Sequence, residues 1–469
     1  MFDRLPLSLF MFSVIAAAFL FGIAAEHYQA FPAHELREAK KTLMAIVQEL
    51  QNDEHQRGEF LRFSDTAIEN IKTARIRTFT EASSGEENFL LFGGLNQYLD
   101  LCPEHGCLAV EVTPDGSLVH AYPYFPEEIY AANSTKDYPY EYIDFAPLED
   151  TRPIGIERFP NGDLLVAFHS SSSASVYPFG TGVARVDREG RPRWFRFDYS
   201  HHWPSPIRGD TLMVPATAVS DEEVAWKWPG GGGFRLDCSG SKVYRDLIRF
   251  LGGDGNVIRE LPLLDAVLES PYAAVLQHTT NGCDPIHLNF IDVVRHDLPE
   301  GIEGMAPGDL VVSFRNISSF GIVDPQSGKL KRLVRGSFFQ QHSVQHLSGS
   351  RFVIFDNHGG DYEGGPSRVL EVDLATGTEK TVFPRRDHDN DQREVFSREA
   401  GHLSVSPDRT RLIVSFSYQG TAFEVHISDG KVLREFRSLH DVSRVEGYPE
   451  RSHEKAAIFC LYGVAYALH

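Results

Sequence analysis

Tryptophan, methionine and cysteine are scarce in this chain, at 4, 5 and 5 of 469 residues. No two cysteines stand in a Cys-x-x-Cys pair, which excludes a zinc ribbon or a thioredoxin-type site. Positive charge is also short, with 45 Lys and Arg against 65 Asp and Glu and a formal net charge of -20. Without a local basic stripe such a chain repels polyanions, so nucleic-acid binding is set aside. The glycines Gly230 to Gly233 lack the Lys-Ser/Thr and the strand-to-helix setting of a phosphate loop. Asp387-His388-Asp389-Asn390-Asp391 lacks the Gly and the terminal Glu of a calcium loop and reads as a solvated loop. His358, Asp361 and Glu363, set among glycines, read as a rim without a firm role. No metal and no cofactor is expected.

Long apolar runs are equally rare, and the one present opens the chain. From Leu5 to Ala25 every residue is apolar or small, interrupted only by Ser8 and Ser13. At 1.5 Å per residue this run crosses a hydrocarbon core of about 30 Å. A cleaved signal peptide usually has a shorter run of about 7–15 residues, so the length favours a transmembrane anchor, although Ala24-Ala25 offers a cleavage site. Residues 1–26 are therefore expected to be an anchor or signal, with the rest of the chain exported. Residues 27–85 are expected to form a helical stalk or packing region. Over 33–63, Leu43, Ile46, Val47 and Leu50 share one face, and a second polar helix is expected around Asp65–Thr78. Cys102 and Cys107 are spaced to close a small disulfide loop, and Cys238 and Cys283 could form a second pair. Five buried thiols are the other possibility.

From residue 86 onward the texture changes to short apolar runs cut by Gly, Asp, Asn and Pro, the signal of strands and turns. Hairpin tips recur at Asp115, Asp187, Asp254, Asp324, Asp373 and Asp429, at intervals of 72, 67, 70, 49 and 56 residues. An earlier strand precedes the hairpin in most units: Asp163–Phe168, Thr211–Pro215, Asp309–Phe314, Arg351–Phe355 and Arg411–Phe416. Degenerate repeats of a few strands each predict an all-β, six-bladed β-propeller over residues 86–469. The final apolar stretch, Ala456–Leu468, is expected to close the ring by pairing with the first blade. A pair of β-sandwiches would not repeat in this way.

A propeller names no activity, which must come from the loops facing its channel. Four polar constellations stand at comparable stations: His201-His202-Trp203-Pro204, Ile286-His287-Leu288-Asn289, Ser313-Phe314-Arg315-Asn316 and Gln340-Gln341-His342-Ser343. Each sets a His or Arg where a strand begins or ends. One of 20 histidines means little, but histidines recurring at one station of a repeat point to a shared channel.

Between Ser200 and Glu435 these residues resemble the bacterial arylsulfate sulfotransferases, most densely in three stretches. These are Asp284 to Val294 with its His-x-Asn, Gly308 to Asp324 with Ser-x-Arg, and Phe339 to Asp373 with Gln-His, Phe-Asp-Asn and Ser-Arg-Val-Leu-Glu-Val-Asp. The resemblance implies a six-bladed propeller, an aryl sulfate donor, a phenolic acceptor and no nucleotide. It implies a transiently sulfurylated histidine at His342. His287, Arg315 and His202 are its implied catalytic partners, with Asn289 and His201 at the substrate. Gln-His is followed here by Ser343-Val344, where many relatives carry Asp and Pro.

The chemistry suits these residue types. Sulfuryl transfer, like phosphoryl transfer, passes through a loose transition state with charge on three equatorial oxygens, so positioning and electrostatics dominate. Arg315 would fork onto those oxygens, Asn289 would donate from its amide, and neutral His342 would attack sulfur. His287 or His202 would carry the proton of the phenol, and Trp203 would stack on the aryl ring. On this reading turnover survives chelation and falls below about pH 6, where imidazole is protonated. A non-catalytic, membrane-anchored propeller serving as a binding module is the alternative. A quinone-dependent dehydrogenase would need recurrent tryptophans, and the 4 present do not recur in register.

Overall fold

Several inner strands of this protein are buried on both sides, and the reason is visible in Leu310–Phe314. Side chains alternate across a strand. Leu310, Val312 and Phe314 pack to one side with Ile248 and Leu288, while Val311 packs to the other with Val344 and Phe352. A strand buried on both faces reads as a continuous hydrophobic run rather than an alternating one.

The computed structural model describes residues 61–67, 76–78, 87–93, 102–103, 106–135, 151–170, 180–205, 211–228, 231–238, 242–297, 302–358, 366–385, 395–397, 399–437, 439–440, 455–459 and 461–467. All of them lie in one unit spanning Phe60–His469. They form a six-bladed β-propeller of antiparallel sheets. Blade 2 runs outward from Thr151–Arg158 through Leu164–Ser170 and Gly180–Val186 to Pro192–Arg196. Blade 4 consists of Leu288–Val293, Leu310–Phe314, Ser319–Val323 and Leu330–Val334. Blade 5 consists of His342–Ser348, Arg351–Asp356, Arg368–Asp373 and Thr378–Phe383. Blade 6 starts at His402–Val405 and continues with Arg411–Phe416, Thr421–His426 and Val432–Arg437.

Blade 3 has three regular strands, Leu212–Ser220, Val243–Leu251 and Val257–Pro262. Its innermost position is filled by residues 200–205. This strip is tied to Leu212–Ser220 by a bridge from Ser200 to Ala216 and by His201 N to Pro215 O and Ser205 N to Met213 O, each 2.9 Å. Two glycines of blade 2 let the strip approach. A Cβ at Gly155 would overlap the His202 backbone, and one at Gly180 the Ser200 backbone.

All six Asp-marked tips lie between the third and fourth strands of their blades, and the five strands expected before them are second strands. The expected last strand is two strands, Lys455–Phe459 and Gly463–Ala467. Only the second closes the ring, pairing with Asn88–Phe92 as the innermost strand of blade 1, outside which lie Cys107–Val112 and Leu118–Pro123. Among the described residues the core divides into six apolar clusters, one between each pair of neighbouring blades.

The helical expectation for residues 27–85 is corrected where it can be seen. Leu61–Ala67 is a strand pairing with Lys455–Phe459, and Ile76–Thr78 adds a fifth strand to blade 6 at Val432–Arg437. An open sheet edge supplies hydrogen bonds that outweigh local propensity. The apolar run 5–25 and residues 33–60 lie outside the described residues, and no helix among the described residues is long and apolar enough to cross a membrane. Disulfides join Cys102 to Cys107 and Cys238 to Cys283.

The closing strand is fastened by charge as well as by its ladder. Glu424 of blade 6 is fully buried and accepts from Arg434, from Arg411 at 3.0 Å and from the Tyr466 hydroxyl of the closing strand at 2.9 Å. Arg411 also reaches Glu87, just before Asn88–Phe92, at 3.0 Å. Removing one partner of a buried ion pair leaves uncompensated charge and costs about 3–5 kcal/mol. Glu424→Ala should therefore lose about that much stability, and Tyr466→Phe about 1.5–3 kcal/mol, the worth of a hydrogen bond to a charged group. Urea midpoints with unchanged slopes check this order.

Candidate active site

In an antiparallel blade the start of the innermost strand lies beside the end of the second. His287 thus meets Arg315 across the Leu288–Phe314 pair, and His342 meets Asn357 beyond its pairing with Phe355. In blade 6, His402 stands at the same station, paired with Ser415. The strip 200–205 brings His201 and His202 to that station in blade 3. The recurring histidines therefore come from four blades and gather at one end of the channel.

Local backbone helps to aim them. His202, His287, Gln340 and Ser343 all have positive φ, at 52°, 52°, 52° and 50°. Non-glycine residues in this region store strain and persist only where their surroundings hold them. The His202 ring stands 5.0 Å from that of His287 and 6.4 Å from that of His342, centroid to centroid.

The protonation pattern of His342 follows from its neighbours. Asn357 gives its Nδ2 to the carbonyls of Ser397 and Ala400, at 2.9 and 2.8 Å, which turns its Oδ1 toward His342. His342 Nδ1 lies 2.7 Å from that oxygen. Nδ1 must donate, and Nε2 is left with its lone pair. Burial first, and then the nearby Arg315 charge and His287, push the His342 pKa down to about 3, against the opposing hydrogen bonds to Asn357 and to the Gln340 backbone. Burial and the neighbouring His201, His287, His342 and His169 hold His202 well below the usual imidazole range, and burial alone does so for His402.

Arg315 sits in the turn Arg315–Ile317 after the second strand of blade 4. Its guanidinium bonds to amides, Asn316 Oδ1 at 3.0 Å and Gln340 Oε1 at 3.3 Å, and makes no ion pair among the described residues. An unneutralised fork beside neutral imidazoles is a place for an anion. His287 Nδ1 is held by the buried Asp284 carboxylate, which also takes a bond from Asn316 Nδ2 at 3.2 Å.

Two expected residues are used differently. The amide of Asn289 donates to Gln341 O at 2.8 Å, so it ties blade 4 to the segment carrying His342, while its buried Oδ1 has no partner among the described residues. Trp203 is 8% exposed and stacks on His402 with centroids 3.3 Å apart and planes 3° apart. Its ring also meets Phe92 at 4.9 Å, and it bonds to Glu157, whose carboxyl is raised to about 7 chiefly by desolvation. The face expected to receive an aryl ring is occupied, and Trp203 instead joins blades 3 and 6 across the channel.

Sequence reasoning did not single out Asn357, Asp284, Thr217, Asp246 or His402 as site residues. Asn357 and Asp284 lie within the stretches that carry the family resemblance, and His402 recurs at the station of His287 and His342. Thr217 and Asp246 sit inside blade strands with no local signal. Ser343 accepts from Leu403 N at 3.0 Å and lies 3.4 Å from His402 Nδ1, so it fastens blade 5 to blade 6.

Neutral buried histidines make an acid liability. Below about pH 6.5 the unfolded chain binds protons that the folded one refuses, so stability falls as pH drops from there toward about 4. His202, His342 and His402 together contribute up to roughly 4 kcal/mol per pH unit, and Glu157, raised to about 7, offsets about one proton of this, leaving roughly 2.7 kcal/mol per pH unit. Urea midpoints taken across this range check it, and a flat profile would contradict the neutral assignment.

No curated protein matches the chain in a sequence search. Solved structures that align with it include a protein of unknown function from Bacteroides caccae, at 13% identity over 81% of this chain and 98% of that one with a TM-score of 0.40. AztD from Citrobacter koseri aligns at 9% identity over 82% and 100%, with a TM-score of 0.36. Virginiamycin B lyase from Staphylococcus aureus aligns at 11% identity over 60% and 69%, with a TM-score of 0.29. At these values none bears on function. A family comparison is more telling, because the matched residues 245–438 run from the outer strands of blade 3 through blades 4, 5 and 6 and include His287, Arg315, His342 and Asn357. Through this portion the chain carries a domain of the arylsulfotransferase (ASST) family.

Proposed function

We propose that this protein moves a sulfuryl group from an aryl sulfate to a phenol through a sulfohistidine on His342, without a nucleotide donor or a cofactor. The observation that carries the reading is the fixed tautomer of His342. Its Nδ1–H is spent on Asn357 Oδ1, and Nε2 keeps a lone pair in a pocket shared with Arg315, His287 and His202. A nucleophile must be unprotonated when donor arrives, and burial keeps this one so. Arg315, which makes no ion pair among the described residues, suits the three sulfuryl oxygens. The family match and this charge pattern together favour sulfuryl transfer over a binding module, which gains nothing from holding His202 and His342 neutral beside a guanidinium with no ion pair among the described residues.

The same proposal includes place. An anchor at residues 1–26 would hold the propeller outside the cytoplasm, and two disulfides suit an oxidising compartment. Full-length protein fractionating with membranes, and a chain starting after residue 26 fractionating as soluble, would support the anchor.

The acid limb expected near pH 6 moves. With His342 held near 3, its own protonation limits turnover only below about pH 4, so any loss near pH 6 should track unfolding. Activity should withstand chelator.

Incubation with a chromogenic aryl sulfate and no acceptor should release phenol in a burst stoichiometric with protein, and alkaline quench should leave the sulfuryl group on the His342 peptide. His342→Asn should abolish both. Asn357→Leu, which frees the tautomer, should cut the burst rate by roughly 10²–10³-fold. Normal turnover by His342→Asn would refute the assignment.

A further inference from the structure

A line of hydrogen bonds runs from the His202 ring into the wall of blade 3. His202 Nδ1 lies 2.7 Å from His201 Nδ1, and His201 Nε2 lies 3.0 Å from Thr217 Oγ1. Thr217 Oγ1 lies 2.6 Å from Asp246 Oδ1. The other oxygen of Asp246 takes the backbone N–H of Leu288 at 2.7 Å, next to His287 in blade 4. His201, Thr217 and Asp246 are buried, at 5%, 3% and 2% exposure.

The donors in this line are determined by counting protons. Thr217 has one hydroxyl proton, which goes to the Asp246 carboxylate, so toward His201 it accepts. His201 therefore carries its proton on Nε2 and presents a bare Nδ1. His202 fills that acceptor with its own Nδ1–H, which leaves Nε2 of His202 unprotonated. That ring stands 5.0 Å from the ring of His287 and 6.4 Å from that of His342. The arrangement solves a problem of the pocket. A buried imidazolium at His202 is disfavoured, since burial and four neighbouring histidines all oppose its charge. A proton taken up at Nε2 must be matched by one released at Nδ1, and the line provides its destination.

We propose that Asp246, Thr217 and His201 form a proton wire that makes His202 the base for the incoming phenol. The proposal rests on the sulfuryl-transfer reading and assigns the proton step within it. The acceptor's oxygen attacks sulfur as its O–H proton passes to His202 Nε2. His202 Nδ1–H passes to His201 Nδ1, His201 Nε2–H to Thr217 Oγ1, and the Thr217 hydroxyl proton to Asp246 Oδ1. The new O–S bond forms, the N–S bond breaks, and its electron pair returns to His342 Nε2. One proton has moved from phenol to Asp246 and no imidazole is left charged. After product departs, the reverse shift delivers the proton through His202 to solvent. His202 is then a catalytic residue, and His201, Thr217 and Asp246 are positioning residues that act through it.

Thr217→Val keeps the shape and removes the hydroxyl, and Thr217→Ser restores it. Single-turnover transfer from sulfurylated protein is measured with two acceptors, phenol, whose pKa is about 10, and a nitrophenol already ionised at the assay pH. Thr217→Val should slow transfer to phenol by roughly 100-fold and to the ionised acceptor far less. Thr217→Ser should recover most of the loss with phenol. Equal losses with both acceptors, or none with either, would overturn the wire. The resting protein offers a readout without turnover, through histidine 15N shifts. Nδ1–H on His202, lost in Thr217→Val, is expected; a proton on Nε2 of His202 would overturn the proposal. If the wild-type protein transferred no sulfuryl group while the 15N shifts kept the expected tautomers, the reaction assignment would fail and the wire would stand.

Discussion

Six small sheets arranged radially have one weak point, the seam where the last meets the first. Here the seam is closed by Gly463–Ala467, which crosses from the chain's end to become the innermost strand of blade 1. Everything at the channel depends on it. Each innermost strand is held sideways by its neighbours, so a ring open at one seam would let the inner strands splay and separate the histidines. The buried Glu424 group and the fifth strand Ile76–Thr78 load extra bonds onto this region, one beside the closing strand and one on the outside of blade 6. Backbone pairing makes the closure, and the buried Glu424 group ties the closing strand to blade 6.

Within the closed ring, desolvation governs the chemistry. Water is replaced by Trp203 stacked on His402, by Phe290 and by the inner strands, so a charge on any imidazole is poorly solvated. The pocket therefore holds His202, His342 and His402 neutral, beside an Arg315 guanidinium that makes no ion pair among the described residues. In open solvent the same residues would be a mixture of protonation states; here hydrogen bonds to Asn357, Asp284 and Thr217 select one nitrogen on each ring. The cost appears as strained backbone at His202, His287, Gln340 and Ser343 and as stability that is sensitive to acid. Strain and buried polarity collected at one end of an otherwise apolar ring are what distinguish a site from a scaffold.

Much of this was written locally. The Asp-marked hairpins depend on turn residues within four or five positions of one another, and the second strands are apolar on both faces, so both are legible without the fold. The recurrence of His before an apolar strand in blades 3, 4 and 5 was legible for the same reason, and with it most of the pocket. The residues that tune those histidines were not. Asn357 is distant in space until Phe355 pairs with His342, and Thr217 and Asp246 meet His201 only because the strip 200–205 lies on Leu212–Ser220. Trp203 illustrates the opposite error. An aromatic beside two histidines invites a substrate, but its partner His402 is nearly 200 residues away and arrives from the facing blade.

The sequence by itself thus determined the fold class, the number of units, the positions of the tips and the residue types gathered at the channel. Those are consequences of hydrophobic period and turn chemistry, which act over a few residues. The tertiary structure alone decided which part of the last apolar stretch closes the ring, that Leu61–Ala67 and Ile76–Thr78 are strands, which nitrogen of His342 and His202 is bare, and how far burial moves them. These depend on contacts between blades and on the exclusion of water, and neither exists until the ring has closed.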